Sequence, residues 1–117
     1  MRVPDFLGHI LQAIERIERY TAGLNESGFV ANELVQDAVI RNIEIIGEAS
    51  RNVMTAAPEF ASLHHDIPWQ VMYTMRNRVS HGYHKVDLEI VWRTVKRDLP
   101  VLARKVAEAL RADPGSR

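Results

Sequence analysis

The chain has no cysteine, which excludes a disulfide framework and thiolate metal sites and fits a reducing compartment. It also lacks an excess of either charge. Fifteen Lys and Arg balance fifteen Asp and Glu, so the molecule as a whole shows none of the basic surplus that usually marks a nucleic-acid binder. No apolar run approaches the roughly 20 residues needed to cross a bilayer. The opening Met1-Arg2-Val3-Pro4-Asp5-Phe6-Leu7 is not the continuous apolar stretch of a signal peptide, so the expected location is the cytoplasm. A glycine-rich phosphate loop and a nucleophile elbow are absent, which argues against ATP binding by this chain itself. No cofactor is expected.

What is present is the composition of a folded protein, 46% hydrophobic and 26% charged over 117 residues, enough for one core and one domain. That domain is expected over residues 1–112, with 113–117 as a frayed tail. Leu7, Ile10, Leu11, Ile14 and Ile17 recur at helical spacing and predict a first helix from about Pro4 to Ala22, followed by a connection rich in Gly23, Asn25, Ser27 and Gly28. From Val30 to Val53 the apolar positions exceed one stripe, so this second helix must be covered on two sides, by neighbours in the chain, by another subunit, or by both.

Ala56 to Asp66 reads as a looser segment. Asp66 and Pro68 then predict the start of a third helix that carries Trp69, Met72, Tyr73 and Met75 and stops near Val79 or Ser80, ahead of Gly82. Asp87 is a good cap for a long fourth helix, kinked between Lys96 and Pro100 because the proline ring excludes a normal hydrogen bond. No segment alternates as a strand would. The predicted fold class is all-α, an up-and-down four-helix bundle with a kinked last helix.

The densest chemistry lies in Arg76-Asn77-Arg78-Val79-Ser80-His81-Gly82-Tyr83, continued by His84 and Lys85. From Arg76 to Lys85 there is no acidic residue, so a local basic patch sits in a neutral molecule. Arg76 carries a permanent planar cation that can fork onto a phosphate, and His81 can move a proton near neutral pH. On an unbroken helix the two would point to different sides, so their convergence requires the helix to end between them. Given that, the arginine could stabilise charge on a phosphate while the histidine transfers the proton of an attacking RNA 2′-hydroxyl. The nucleophile then belongs to the substrate, and no metal is needed. One histidine per chain is lean for both acid and base roles, which favours a site paired across two subunits. Spacing by itself also fits a structural role, with Arg76 over helix-end carbonyls, His81 in a turn and Tyr83 packed on the next helix.

Other clusters carry less. His64-His65-Asp66 could suggest a metal site, but adjacent histidines rarely face one ion, and a loop with a helix cap is the simpler account. His9 reads as a surface or interface residue. Glu44 and Glu48 are positioned to pair with Arg41 or Arg51, or to reach the motif arginines. Trp69 and Trp92 follow the apolar stripes and read as core.

The run from Met75 to Tyr83 resembles the R-x4-H-x-Y motif of the HepT-like toxins, within the HEPN superfamily of small helical ribonucleases. The flanks agree: Ile67-Pro68-Trp69, Val86-Asp87-Leu88-Glu89-Ile90-Val91-Trp92, Leu34 to Val39, and Glu44-Ile45-Ile46-Gly47-Glu48-Ala49. The resemblance implies a helical homodimer with the motif lining a cleft between subunits, cutting RNA as the toxin of a type VII-like toxin–antitoxin system. It implies Arg76 and His81 as the catalytic pair and Asn77 as a polar helper. Apart from the resemblance, Arg78, His84 and Lys85 are candidates to hold RNA backbone, with a solvated loop the equal alternative for His84 and Lys85. The implied partner is an MntA-like minimal nucleotidyltransferase antitoxin, which would transfer AMP to Tyr83 and so place bulk and negative charge beside the phosphate site. The rival reading is a helical dimer that binds such a partner without cutting RNA.

Overall fold

Helices form wherever the apolar spacing demands them. The structure, a computed structural model, describes the backbone of residues 2–81 and 87–112 and the side chains of 2–77 and 87–112. Seven α-helices and one π-helical segment account for these, and there is no strand among the described residues. The predicted all-α class is what is observed.

Helix α1 (Val3–Thr21) starts with proline in its first turn, where an amide hydrogen is dispensable, and the Arg2 amide donates to the Asp5 carboxylate at 3.1 Å. It ends at a turn through Gly23, whose φ of 80° is the left-handed conformation that suits glycine. The expected connection then contains a helix of its own, α2 (Glu26–Val30), capped by Asn25. So short a helix cannot hold itself together. It is held by Phe29, fully buried against the Trp92 ring, and by Gln36, whose side-chain amide donates to the carbonyls of Phe29 and Val30.

Helix α3 (Glu33–Ala56) is capped by Asn32, whose side chain accepts from the Val35 amide at 3.0 Å. Its two apolar sides meet α1 and α5 (Trp69–His81), so α3 is the centre of the fold. Leu7, Ile10, Ile14 and Ile17 of α1 and Val39, Ile43, Ile46 and Val53 of α3 form the buried interior with Trp69 and Met72 of α5. Each such side chain contributes about 1.5–3 kcal/mol on burial. The segment expected to be loose holds a short helix, α4 (Pro58–Leu63), begun by its proline. Asp66 does not cap α5. The helix begins only at Trp69, and the Asp66 carbonyl instead accepts from Lys105 at 2.9 Å.

The last long helix is divided. Asp87 caps α6 (Leu88–Arg93) as expected, accepting from the amides of Glu89 and Ile90. The expected kink takes the form of a π-helical turn, Thr94–Asp98, before α7 (Leu99–Ala112). The Leu99 amide reaches back to the Thr94 carbonyl, one residue further than in an α-helix. That wider turn makes room where the Pro100 ring would collide with the preceding turn and offers no donor. Among the described residues, no helix is long and apolar enough to cross a membrane. Residues 113–117, expected to fray, lie outside the described residues.

Candidate active site

Arg76 enters the site from α5, and a glycine on α3 decides how deep it sits. Gly47 is buried in the middle of α3, directly beneath Arg76. A Cβ there would collide with the Arg76 Cβ and stand 2.8 Å from its Cγ and 3.0 Å from the Met72 carbonyl oxygen. The arginine stem therefore lies on α3 backbone, with its head directed outward and its side chain 33% exposed. One guanidinium nitrogen lies 3.6 Å from a Glu48 carboxylate oxygen, and another donates to the Asn77 side-chain oxygen at 3.0 Å.

Glu48 also lies 3.8 Å from Arg51, and Glu44 lies 3.6 Å from Arg41. Both arrangements considered for these carboxylates thus occur together: pairing along α3 and contact with a motif arginine. Pairs this exposed contribute at most about 1 kcal/mol each. Their value is geometric, since they fix where a planar cation points.

Around Arg76 opens a polar depression of about 430 Å³, lined by His9, Arg41, Glu44, Glu48 and Asn52 among others. His9, read from sequence as a surface or interface residue, reaches this depression from α1. The signal for that is helical spacing, which puts His9 on the side of α1 that carries Phe6 and Ala13, three residues before it and four after, both buried. On a different side of α5 runs an apolar groove of about 370 Å³, walled by Ile43, Met72, Met75, Leu99 and Leu102. Among the described residues, neither Arg76 nor Asn77 lines it.

The expected end of the third helix near Val79 or Ser80 is corrected: α5 continues through His81. Val79-Ser80-His81 contains neither glycine nor proline, so nothing in it halts a helix already in progress. Five helical steps separate positions 76 and 81, about 140° around the axis, so the convergence that required a helix break does not come about that way. Position 81 instead falls one turn beyond Asn77, four residues on, on the same face of α5. Asn77, already bonded to Arg76, thus stands between the two motif positions. The side chains of Arg78 and His81 lie outside the described residues, as do Gly82, Tyr83, His84 and Lys85.

The remaining candidates have structural settings. His64 stacks on Phe60 with ring centroids 4.4 Å apart, and its carbonyl and that of Ala61 accept from the Trp69 indole. No group of three or more His, Asp or Glu side chains is set to hold a metal among the described residues. Trp69 is core, while Trp92 is part-buried, with Phe29 against its ring and the Lys96 ammonium 4.9 Å from its centroid. What the described site offers is a guanidinium held from two directions at the rim of an accessible polar hollow. Such a group can donate charge-assisted hydrogen bonds to an anionic oxygen.

Comparison with known proteins points the same way. A family model described as "Ribonuclease HepT-like" matches residues 10–109. A protein of Thermococcus cleftensis named "Probable ribonuclease HepT" is 44% identical over 101 residues, covering 86% of this chain and 89% of that protein. A protein of Caldanaerobacter subterraneus named as a candidate RNase is 33% identical over 114 residues, covering 97% of this chain and 99% of that protein. A protein of Methanocaldococcus jannaschii, named as a gamma-glutamylcyclotransferase and candidate RNase, is 41% identical over 108 residues, and the chain spans 47% of its length. No solved structure matches.

Proposed function

We infer the function from one premise: the chain belongs to the HepT-like ribonuclease family, whose model matches it over residues 10–109. It is an endonuclease that cuts RNA. The observation that carries this reading beyond family membership is the Arg76 guanidinium, oriented by Glu48 and Asn77 at the rim of a polar depression.

Arg76 grips the non-bridging oxygens of the scissile phosphate. The ribose 2′-oxygen attacks phosphorus, losing its proton to a histidine, and the bond to the 5′-oxygen breaks as that oxygen gains a proton. The products are a 2′,3′-cyclic phosphate and a 5′-hydroxyl end. Arg76 stabilises the charge that builds on the phosphoryl oxygens, and His81 exchanges the proton. Each chain brings one motif arginine and one motif histidine, at positions on different sides of α5. A homodimer that sets two motifs across one groove supplies the second proton-transfer group that a single chain lacks.

In the cell this activity makes the chain a toxin, silenced by an MntA-like nucleotidyltransferase that moves AMP from ATP onto the Tyr83 phenol. The adduct adds a phosphodiester charge next to the residues that receive RNA phosphate, so substrate is repelled as well as blocked.

Cleavage of a labelled RNA by purified protein, with divalent metal chelated, tests the chemistry. Arg76→Ala is expected to lower the rate by about 10²–10³-fold, as loss of one transition-state donor does. His81→Ala should lower it by about 10²–10⁴-fold. Wild-type protein no faster than these variants would leave the chain a binding partner and not an enzyme. Intact mass after incubation with the nucleotidyltransferase and ATP should show an AMP adduct that Tyr83→Phe abolishes.

A further inference from the structure

Gly47 occupies the middle of a 24-residue helix, where glycine is about 1 kcal/mol worse than alanine. Its backbone does not call for it, because among the described residues the one positive φ belongs to Gly23. What requires the hydrogen is the neighbour. A methyl group would meet the Cβ and Cγ of Arg76 and the Met72 carbonyl, which is α5 backbone and cannot swing away as a flexible side chain would. The helix therefore accepts a poor residue at the one place where the motif arginine crosses it.

The next residue is Glu48, and its carboxylate reaches the guanidinium from the α3 side at 3.6 Å, while Asn77 accepts from it along α5. Stem depth is set by Gly47 and head direction by Glu48. We propose that Gly47 and Glu48 are positioning residues for Arg76: a two-residue seat on α3 that fixes the depth and direction of the guanidinium presented to the RNA phosphate. Neither touches substrate. Both act through the arginine.

This rests on the ribonuclease reading, and the experiment keeps the two apart. Single-turnover cleavage at saturating enzyme would be measured for wild type, Glu48→Gln, Glu48→Asp, Gly47→Ala and Arg76→Ala, and for Glu48→Gln and Gly47→Ala each combined with Arg76→Ala. Thermal melts would run alongside. Glu48 is half exposed, so Glu48→Gln is expected to melt within a few degrees of wild type. Its cleavage rate should fall by about 5–20-fold with the RNA concentration dependence unchanged, and Glu48→Asp should recover part of the loss. Gly47→Ala pushes α5 outward, and a displacement of about 1 Å at a reacting group costs on the order of 10²-fold.

The deciding result is the combination. In the Arg76→Ala background neither change should slow cleavage further, because a seat without its occupant has nothing to hold. If Glu48→Gln slows the Arg76→Ala protein by the same factor as wild type, Glu48 acts on its own and the proposal fails. It fails equally if Arg76→Ala is inactive while Glu48→Gln and Gly47→Ala cut at the wild-type rate, an outcome that leaves the ribonuclease reading intact. Wild-type cleavage by Arg76→Ala would overturn that reading and the seat with it. Should Gly47→Ala not fold, the Glu48 series decides alone.

Discussion

Phe29→Ala should cost far more than its place in a five-residue helix suggests. The ring is fully buried, 5.3 Å from the Trp92 centroid and tilted 31° to it, and it ties α2 to the start of the divided last helix. Truncating a buried phenylalanine removes its transfer free energy and leaves a cavity, together about 3–5 kcal/mol, of which the aromatic pair is about 0.5–1.5. Trp92 is part-buried and can lean into the space, so a value near the lower end, about 3 kcal/mol, is expected. A domain of 117 residues has a total stability of about 6–18 kcal/mol at typical values per residue. The variant should therefore remain folded but melt about 10–15 °C lower. Urea unfolding followed by circular dichroism gives the free energy directly, and an unchanged slope with denaturant would show that the unfolded state is not the source. A loss below about 1 kcal/mol at unchanged slope would refute the reasoning, because Phe29 would then not be the anchor of α2.

Three further outcomes follow from equally local features. Gly8→Ala should stabilise by about 0.5–1 kcal/mol in the same urea assay, since a Cβ there meets nothing within 4 Å and alanine is the better helix former. Trp69→Phe should destabilise by about 1–3 kcal/mol, because the indole donates to the carbonyls of Ala61 and His64, both at 3.2 Å, and phenylalanine leaves them without that donor. Arg76→Lys should keep wild-type stability within about 1 kcal/mol yet cut RNA at least tenfold more slowly. Glu48 and Asn77 engage separate nitrogens of a rigid fork, which a single ammonium cannot span.

The long helices were legible because apolar spacing is a repeating signal, and α1, α3 and the Asp87 cap fall within a few residues of where that signal puts them. The short helices were not. Asn25 and Gly28 are turn-forming residues by any local rule, and only Phe29 in the core and Gln36 reaching back from α3 turn that stretch into α2. Pro58 likewise opens a helix instead of prolonging a loop. Pro100 announces a disturbance in the last helix, but a proline can kink, break or widen a helix, and only the structure shows a π turn through Thr94–Asp98. The end of α5 has a simpler account: Val79, Ser80 and His81 all sustain the helix, which runs up to the residue before Gly82.

The site divides along the same line. A motif is a statement about one segment, and residues 76–85 carry it in plain view, but what orients its arginine comes from another helix 28 positions away in the chain. Glu48 has one basic partner at i±3 or i±4 on α3, Arg51, and spacing leaves the motif arginines as an alternative; the fold shows that it serves both. Gly47 is different, because a lone glycine inside a strongly helical apolar pattern is a cost that local structure does not repay. Read with that cost in mind, it marks a point of close approach before any coordinates exist. Glycine at position 47 states that something packs there, and only the fold states that it is the motif arginine. The same fold explains how a chain with no net charge can engage a polyanion. Its acidic residues at 44 and 48 are engaged with arginines along α3 and with Arg76, and the stretch from 76 to 85 contains no acid of its own. Raising salt should therefore weaken RNA binding with the shallow slope of a few phosphate contacts, and not the steep one of a uniformly basic surface.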